Sequence, residues 1–104
     1  MSNAVEKVFQ ALASSVRRQV LAYLSVSDMN AGELAEKFNI SKPSLSKHLD
    51  VLESAGLISR EKKGQFIYLH LIENNLANTL NGYLQVVCPV SRSIKKKQKR
   101  TKAE

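Results

Sequence analysis

The sequence predicts a mainly α-helical fold with one small β-hairpin, which belongs to the α+β class. Three observations support this prediction. Five segments carry apolar residues at the three- and four-residue spacing of an amphipathic helix. Two of these segments are separated by a turn of about three residues, as in a helix-turn-helix. A basic turn at Lys63 and Gly64 joins two short strand-like runs, so the full prediction is a winged helix-turn-helix with five helices and a two-stranded wing.

The first two helices are predicted at residues 4–13 and 16–24. The first segment has an apolar stripe that consists of Val5, Val8, Phe9, Leu12 and Ala13. Ser14 and Ser15 offer side-chain oxygens that can cap the second helix. Arg17 and Arg18 lie off the apolar stripe of the second helix, and two interpretations fit them equally well: solvated side chains or contacts with phosphate.

The helix-turn-helix is predicted to follow a polar break at residues 28–30. Asn30 can cap a short third helix. A fourth helix should follow the turn at Ile40, with Pro43 in its first turn, where a missing N–H costs nothing. The fourth helix has leucines spaced four and three residues apart, which must face the core: Leu45, Leu49 and Leu52. Gly56 stands where a glycine C-cap would end this helix.

The remaining surface of the fourth helix is polar and basic, which suits contact with DNA. Its side chains are Lys42, Ser44, Ser46, Lys47, His48 and Asp50. A slender polar helix fits the major groove, so we predict base-edge contacts from Ser44, Ser46 and His48. The predicted phosphate contacts come from Arg18, Lys42, Lys47, Lys62 and Lys63. An ordinary solvated helix face is the alternative.

Residues 57–61 and 66–71 are predicted as the two strands of the wing. Lys62, Lys63 and Gln65 would lie at its tip, where a basic side chain can reach a phosphate or the minor groove. The alternative for these three residues is a solvated turn without a binding role.

The last helix is predicted after Ile72, with Asn74 or Asn75 as its N-cap. Its apolar stripe consists of Leu76, Leu80, Leu84 and Val87, and is broadened by Tyr83 and Val86. This is more apolar surface than a terminal helix can easily hide within one chain. We therefore predict a homodimer that forms through the first and last helices.

The net charge of +7 is concentrated at the C-terminus. Residues 91–104 hold seven basic side chains and one acidic side chain, whereas residues 1–90 are nearly neutral. We therefore predict one DNA-binding and dimerisation domain over residues 1–90 and a disordered basic tail over residues 91–104. Two roles for the tail are open: non-specific affinity for DNA or another anionic surface, or solubility alone.

Several classes of protein are disfavoured by the composition of the chain. No run approaches the roughly 20 apolar residues of a membrane span, and the N-terminus does not resemble a signal peptide. We therefore expect a cytoplasmic protein without stable membrane association. One cysteine, Cys88, and two histidines do not predict a metal site. The chain has no nucleophile elbow, glycine-rich phosphate loop or paired carboxylates, so we expect neither an enzyme nor a cofactor.

Three blocks within residues 8–87 are distinctive in combination. They are FQALASSVRRQVLAYL, AGELAEKFNISKPSLSKHLDVLESAGLI and REKKGQFIYLHL. Together they resemble the ArsR/SmtB family of bacterial winged-helix repressors, and most closely its SdpR-type autorepressors. The resemblance implies a homodimer that binds an imperfect palindromic operator in double-stranded DNA and represses transcription, often of its own operon.

The ligand switches of that family are missing at the matching positions. The arsenic-type site uses a CxC pair on the first helix of the helix-turn-helix, where this chain has Asn30 and Gly32. The zinc-type site uses an acidic residue and histidines on the last helix, where this chain has Glu73 and no histidine. The resemblance thus implies a repressor without a metal inducer.

The inducer or partner protein is unknown from the sequence, although SdpR-type relatives are relieved through a membrane partner protein. Two further interpretations stay open. One is a winged-helix module that binds a protein instead of DNA, and the other is a repressor with an intersubunit thiol switch at Cys88.

Overall fold

The computed structural model describes residues 3–88. Within that range the chain forms five helices and three strands, labelled here in chain order. The helices are α1 (Asn3–Leu12), α2 (Ser15–Val26), α3 (Ala31–Glu36), α4 (Lys42–Ser54) and α5 (Glu73–Val87). The strands are β1 (Met29–Asn30), β2 (Ile58–Lys63) and β3 (Phe66–Leu71). The mainly α-helical fold with five helices is confirmed, whereas the predicted domain boundary and basic tail lie outside the described residues.

The described strands form one antiparallel sheet in the order β1-β3-β2. β2 and β3 are the predicted wing, in a register that pairs Lys62 with Ile67. The turn was predicted one residue too early, because Lys63 still pairs with Phe66 and the turn consists of Gly64 and Gln65. Gly64 has a φ of 62°, the left-handed conformation that a tight hairpin turn requires. The prediction of a two-stranded sheet is one strand short. Residues 28–30 were predicted as a polar break, and two of them form β1. This strand exists because β3, which is distant in sequence, pairs with it and places Leu69 opposite Met29.

Side-chain caps begin three of the helices, and two of these caps, Ser14 and Asn30, are at positions that the sequence predicts. Ser14 and Ser41 each accept the backbone N–H three residues ahead, at 3.3 Å and 3.2 Å. Asn30 forms a capping box, because its side chain accepts the N–H of Glu33 while the Glu33 carboxylate accepts the N–H of Asn30. Each cap satisfies a backbone donor that a helix otherwise leaves unpaired, and such a cap is typically worth about 1 kcal/mol.

The predicted N-cap of the last helix is wrong. α5 begins at Glu73 without a side-chain cap. Asn75 instead lies beside the end of α4, where its Nδ2 donates to the backbone oxygens of Gly56 at 2.7 Å and Ala55 at 3.3 Å. Gly56 has a φ of 75° there and ends α4 as predicted. The Asn75 amide therefore satisfies carbonyl groups at the end of one helix instead of amide groups at the start of another.

The core is built by α1 to α4 and the sheet. Its largest fully buried side chains are Leu34, Leu52, Leu57, Ile58, Leu69, Val8 and Val20. α5 contributes no buried residue, although Leu76 and Leu80 pack against the edge of the core. Phe9 of α1 and Tyr83 of α5 meet edge to face, with ring centroids 4.8 Å apart. None of the helices in residues 3–88 combines the length and hydropathy that a membrane crossing needs.

Candidate nucleic-acid interface

The orientation of α4 follows from its buried leucines. Leu45, Leu49 and Leu52 are at most 5% exposed, so the opposite side of the helix faces solvent. The residues spaced four and three apart along that outward side are Pro43, Lys47, Asp50 and Ser54, and all four are exposed. Lys47 therefore carries its positive charge near the middle of the outward side.

Lys42 and Ser46 lie on the flank of α4 that faces the wing. They line, with Arg60 and Ile67, a half-open cavity of about 280 Å³ whose other walls are apolar. Lys42 is in the first turn of α4, where the helix dipole also favours anions. Lys62 is paired with Ile67 across the hairpin, so it lies on the same side of the wing. One groove therefore brings together predicted contact residues from the helix and from the wing.

Ser44 lies in the first turn of α4, exposed on the flank away from the wing. Its Oγ is hydrogen-bonded to the Oγ of Ser41 at 3.0 Å, and its backbone N–H donates to the same Ser41 oxygen. The N-terminal residues of a recognition helix are the ones that contact base edges in helix-turn-helix proteins. Ser44 is thus exposed at the N-terminal end of α4 beside a hydrogen-bonding neighbour, and its base-edge contact stays a prediction.

His48 is half-buried and is in contact with a cation. Its Nδ1 lies 3.1 Å from Nη1 of Arg17. Burial lowers the pKa of His48 below 6.5, and the charge of the Arg17 guanidinium lowers it further. We therefore treat His48 as neutral at pH 7, with Nδ1 accepting from Arg17 and the proton on Nε2. The base-edge contact of His48 stays a prediction, and Nε2 is the ring nitrogen left for it.

Both arginines near the start of α2 reach back to the last turn of α1. Arg17 donates from Nε to the Ala11 oxygen at 2.8 Å and from Nη2 to the Gln10 oxygen at 2.7 Å. Arg18 donates from Nη1 to the Leu12 oxygen at 2.7 Å. These are carbonyl groups that the end of a helix leaves without partners. Arg18 is exposed, so its predicted phosphate contact would use the donors that the Leu12 oxygen does not occupy.

The two lysines near the wing tip differ in their surroundings. Lys62, Lys63 and Gln65 are exposed there. The Nζ of Lys63 is 3.7 Å from Oε1 of Glu61 and 5.5 Å from the ring centroid of Tyr68. The alternation of side chains along a strand puts Lys62 on the opposite side of the wing, facing the groove beside α4. Lys62 is therefore more available than Lys63 to an external phosphate.

Arg60 links the wing to α4 and was not among the predicted site residues. Its Nη2 donates to Oδ1 of Asp50 at 2.8 Å, and its Nε lies 3.9 Å from Oε1 of Glu53. Both carboxylates are on α4, so these ion pairs hold the wing against the helix. Strand alternation offered a signal for this role. Arg60 shares a face of β2 with buried Ile58, where a guanidinium needs an acidic partner.

A second histidine bridges three segments of the sheet region. His70 on β3 has its Nδ1 2.8 Å from Oδ2 of Asp28 and its Nε2 3.1 Å from Oε1 of Glu61. The hydrogen bond to Asp28 raises the pKa of His70 above 6.5, burial opposes this rise, and the hydrogen bond to Glu61 adds to it. Across residues 3–88, no three His, Cys, Asp or Glu side chains are grouped so as to hold a metal ion.

The chain matches the family model described as bacterial regulatory protein, arsR family, over residues 14–60. It is 45% identical over 83 residues to the transcriptional repressor SdpR of Bacillus subtilis, an alignment that covers 80% of this chain and 92% of SdpR. The matched regions include α2, α3 and α4, and hence the whole helix-turn-helix.

Two solved structures have a similar fold. A crystal structure of an ArsR family transcriptional regulator has a TM-score of 0.78 at 30% identity, and the match covers 86% of this chain and 92% of that one. An ArsR-like transcriptional regulator from Rhodococcus sp. RHA1 has a TM-score of 0.74 at 25% identity, with coverage of 92% and 91%.

Proposed function

Because this chain belongs to the ArsR family of bacterial regulatory proteins, we propose that it represses transcription by binding an operator in double-stranded DNA as a homodimer. The family and the relatives that it matches are transcriptional regulators, which is a non-enzymatic class. The observation that carries the proposal is the groove that Lys42 and Ser46 of α4 share with the wing face of Lys62. An exposed polar helix beside a basic hairpin suits the major groove and the phosphate backbone next to it.

We assign the base-edge contacts to Ser44, Ser46 and the Nε2 atom of His48. The phosphate contacts are assigned to Arg18, Lys42, Lys47, Lys62 and Lys63, and Gln65 lies where the wing tip would reach the minor groove. Phosphate contacts supply affinity and its dependence on salt, whereas base contacts supply sequence preference. The two sets should therefore respond differently to mutation.

The proposed dimer surface consists of apolar residues that α1 and α5 leave exposed. Phe9 is 39% exposed, Leu84 is 52% exposed and Val86 is 79% exposed. The adjoining cavity is lined by Ala4, Val5, Asn78, Thr79, Gly82, Tyr83 and Val86. A patch of this kind is more typical of an interface than of a free surface. A twofold pair would place two α4 helices in successive major grooves about 34 Å apart, which requires a palindromic operator.

We propose that no metal ion relieves repression. The side chain of Asn30 is used to cap α3, Gly32 has no side chain, and no metal-binding group forms in residues 3–88. We also place the protein in the cytoplasm, where it reaches the chromosome.

Cys88 is exposed at the end of α5. Measuring operator affinity with and without a reductant tests the alternative of a thiol switch between subunits.

In vitro selection from random duplex DNA tests the proposal as a whole. We expect enrichment of a palindrome, together with sedimentation of the free protein as a dimer. Lys47→Ala should weaken binding to the enriched sequence and to its scrambled version by the same factor. Ser46→Ala should relax the preference at one base pair of each half-site. Ser54→Ala, on the same outward side of α4 but at its far end, is the control that should change neither.

Failure to enrich any sequence would overturn the proposal that this protein represses transcription by sequence-specific DNA binding. Enrichment of a palindrome by a protein that stays monomeric when bound would overturn the dimer. The basic residues of the C-terminal segment are proposed to add non-specific affinity. A chain that ends at Val90 should therefore keep the sequence preference and lose salt-sensitive affinity.

A further inference from the structure

Two serines at the start of α4 form a hydrogen-bonded pair. The Oγ of Ser41 accepts the backbone N–H of Ser44 at 3.2 Å and lies 3.0 Å from the Oγ of Ser44, to which its own proton can be donated. A hydroxyl group has one proton to donate. When Ser41 gives this proton to Ser44, the proton of Ser44 is left for a partner outside the chain.

We propose that Ser41 is a positioning residue that makes Ser44 a hydrogen-bond donor toward a base edge in the major groove. The proposal rests on the proposed function and specifies the chemistry of one contact. The atoms that Ser44 would meet are acceptors, which in the major groove are the N7 of purines, the O6 of guanine and the O4 of thymine. A hydroxyl that already accepts one hydrogen bond is polarised to donate the next one more strongly.

Ser46 is the natural comparison for this arrangement. It is exposed one turn away from the N-cap on the same helix, and no hydrogen bond within residues 3–88 orients its hydroxyl. The Ser46 hydroxyl can therefore rotate to donate to one base or accept from another. Ser44 and Ser46 are thus expected to differ in how strictly they select a base, because Ser41 occupies a lone pair of the Ser44 oxygen and no neighbour among the described residues does so for Ser46.

The test uses the operator that the wild-type protein enriches. The base pair whose preference Ser44→Ala relaxes defines the Ser44 contact, and we expect that relaxation to be about three- to tenfold. Ser41→Thr keeps both the cap and the hydroxyl, so it should leave this preference unchanged. Ser41→Asp keeps the cap, since aspartate is a strong N-cap residue. Its carboxylate can only accept, so it takes the proton of Ser44 and should relax the same base pair as much as Ser44→Ala does.

Two controls separate this effect from general weakening. The added negative charge of Ser41→Asp weakens binding to every sequence, so preferences are compared as ratios within each variant. The base pair that Ser46→Ala relaxes should keep its ratio in Ser41→Asp. Duplexes that lack one acceptor atom at the Ser44 base pair provide the second control. The wild type should bind one of these duplexes about three- to tenfold more weakly than the intact operator, whereas the affinity of Ser44→Ala should be the same for both.

If an operator is enriched and Ser41→Asp keeps the wild-type preference at the Ser44 base pair, this inference is overturned and the proposed function is not. Equal weakening of all sequences by Ser44→Ala also overturns it, because the acceptor would then be a phosphate oxygen. The absence of any enriched sequence overturns the proposed function, and this inference with it. Thermal unfolding of each variant checks that α4 stays folded.

Discussion

α4 and α5 are both amphipathic helices, yet they stand in opposite relations to the rest of the chain. α4 has thirteen residues, begins at the Ser41 cap and buries three leucines. α5 is longer, with fifteen residues, but has no side-chain cap and buries no residue. An apolar stripe therefore predicts that a helix buries one face, but it does not identify the element or the chain against which that face packs. The fold of one chain accounts for α4. Within residues 3–88, α5 packs part of its apolar side through Leu76, Leu80 and Tyr83, and it leaves Leu84 and Val86 exposed.

The sharpest test of this comparison replaces one leucine on each helix. Leu52→Ala should lower the free energy of unfolding by about 2–5 kcal/mol, because Leu52 is fully buried and its loss leaves a cavity. Leu84→Ala should change the stability of a single chain by less than about 0.5 kcal/mol. It should instead weaken self-association. Urea unfolding at two protein concentrations measures both effects, and equal losses for the two variants would erase the distinction between the helices.

Loss of the Asn75 contact should give the next largest effect, because this side chain joins α5 to the end of α4 by two hydrogen bonds. Asn75→Ala removes both hydrogen bonds to the Ala55 and Gly56 oxygens. We expect a loss of about 1–2 kcal/mol in the free energy of unfolding. Asn74→Ala is the matched control on the neighbouring exposed position and should be neutral. A neutral Asn75→Ala would show that α5 is not fastened to α4 by this side chain.

Substitutions of the wing lysines test whether DNA binds to the side of the molecule that contains α4 and the wing. Lys62→Ala should reduce the slope of log affinity against log salt by about one unit, because one phosphate contact is lost. Lys63→Ala should have a smaller effect, since its ammonium already lies near Glu61 and Tyr68. Neither variant should alter sedimentation of the free protein. A larger effect from Lys63 would place the DNA on the other side of the wing.

The two histidines should give pH effects of opposite sign, which are the smallest effects expected. The pKa of His70 is raised above 6.5 in the folded protein, so its contribution to stability is present below pH 6.5 and is lost as the pH rises through the folded pKa. The pKa of His48 is lowered, so its contribution is present above pH 6.5 and is lost as the pH falls through the folded pKa.

Thermal unfolding between about pH 5 and pH 8 measures these contributions. His70→Gln should remove the part of the pH dependence that favours acid conditions, and His48→Gln the part that favours neutral conditions. A shift of the same sign in both variants would contradict the two environments described for these side chains.

The sequence predicts the features of this fold that depend on neighbouring residues. The caps at Ser14 and Asn30 and the glycine end of α4 each involve groups a few residues apart, and the structure confirms them. Features that depend on distant partners were missed. β1 exists because β3 pairs with it. The Asn75 amide finds carbonyl groups at the other end of a connecting hairpin, which outweighs its preference for a helix N-terminus.

The candidate site shows the same division. Periodicity places Lys42, Ser44, Ser46 and Lys47 on the exposed part of α4, and the structure finds all four exposed there. It could not reveal that Arg60 reaches two carboxylates of α4, because that contact joins separate elements. Nor could it reveal that the imidazole of His48 meets an arginine of α2. Spacing along a helix indicates direction, and only the packed fold identifies neighbours.

The guanidinium of Arg17 has a consequence for how this chain can vary in evolution. On one side it binds the main-chain oxygens of residues 10 and 11, which every amino acid provides. On the other side it binds the imidazole of His48, which few side chains could replace. The main-chain contact sets no requirement on the side chain at position 10, and the constraint on Ala11 comes from its full burial in the core. Positions 17 and 48, in contrast, should be inherited together. A chimera that imports α4 from a homologue should import residue 17 of that homologue as well.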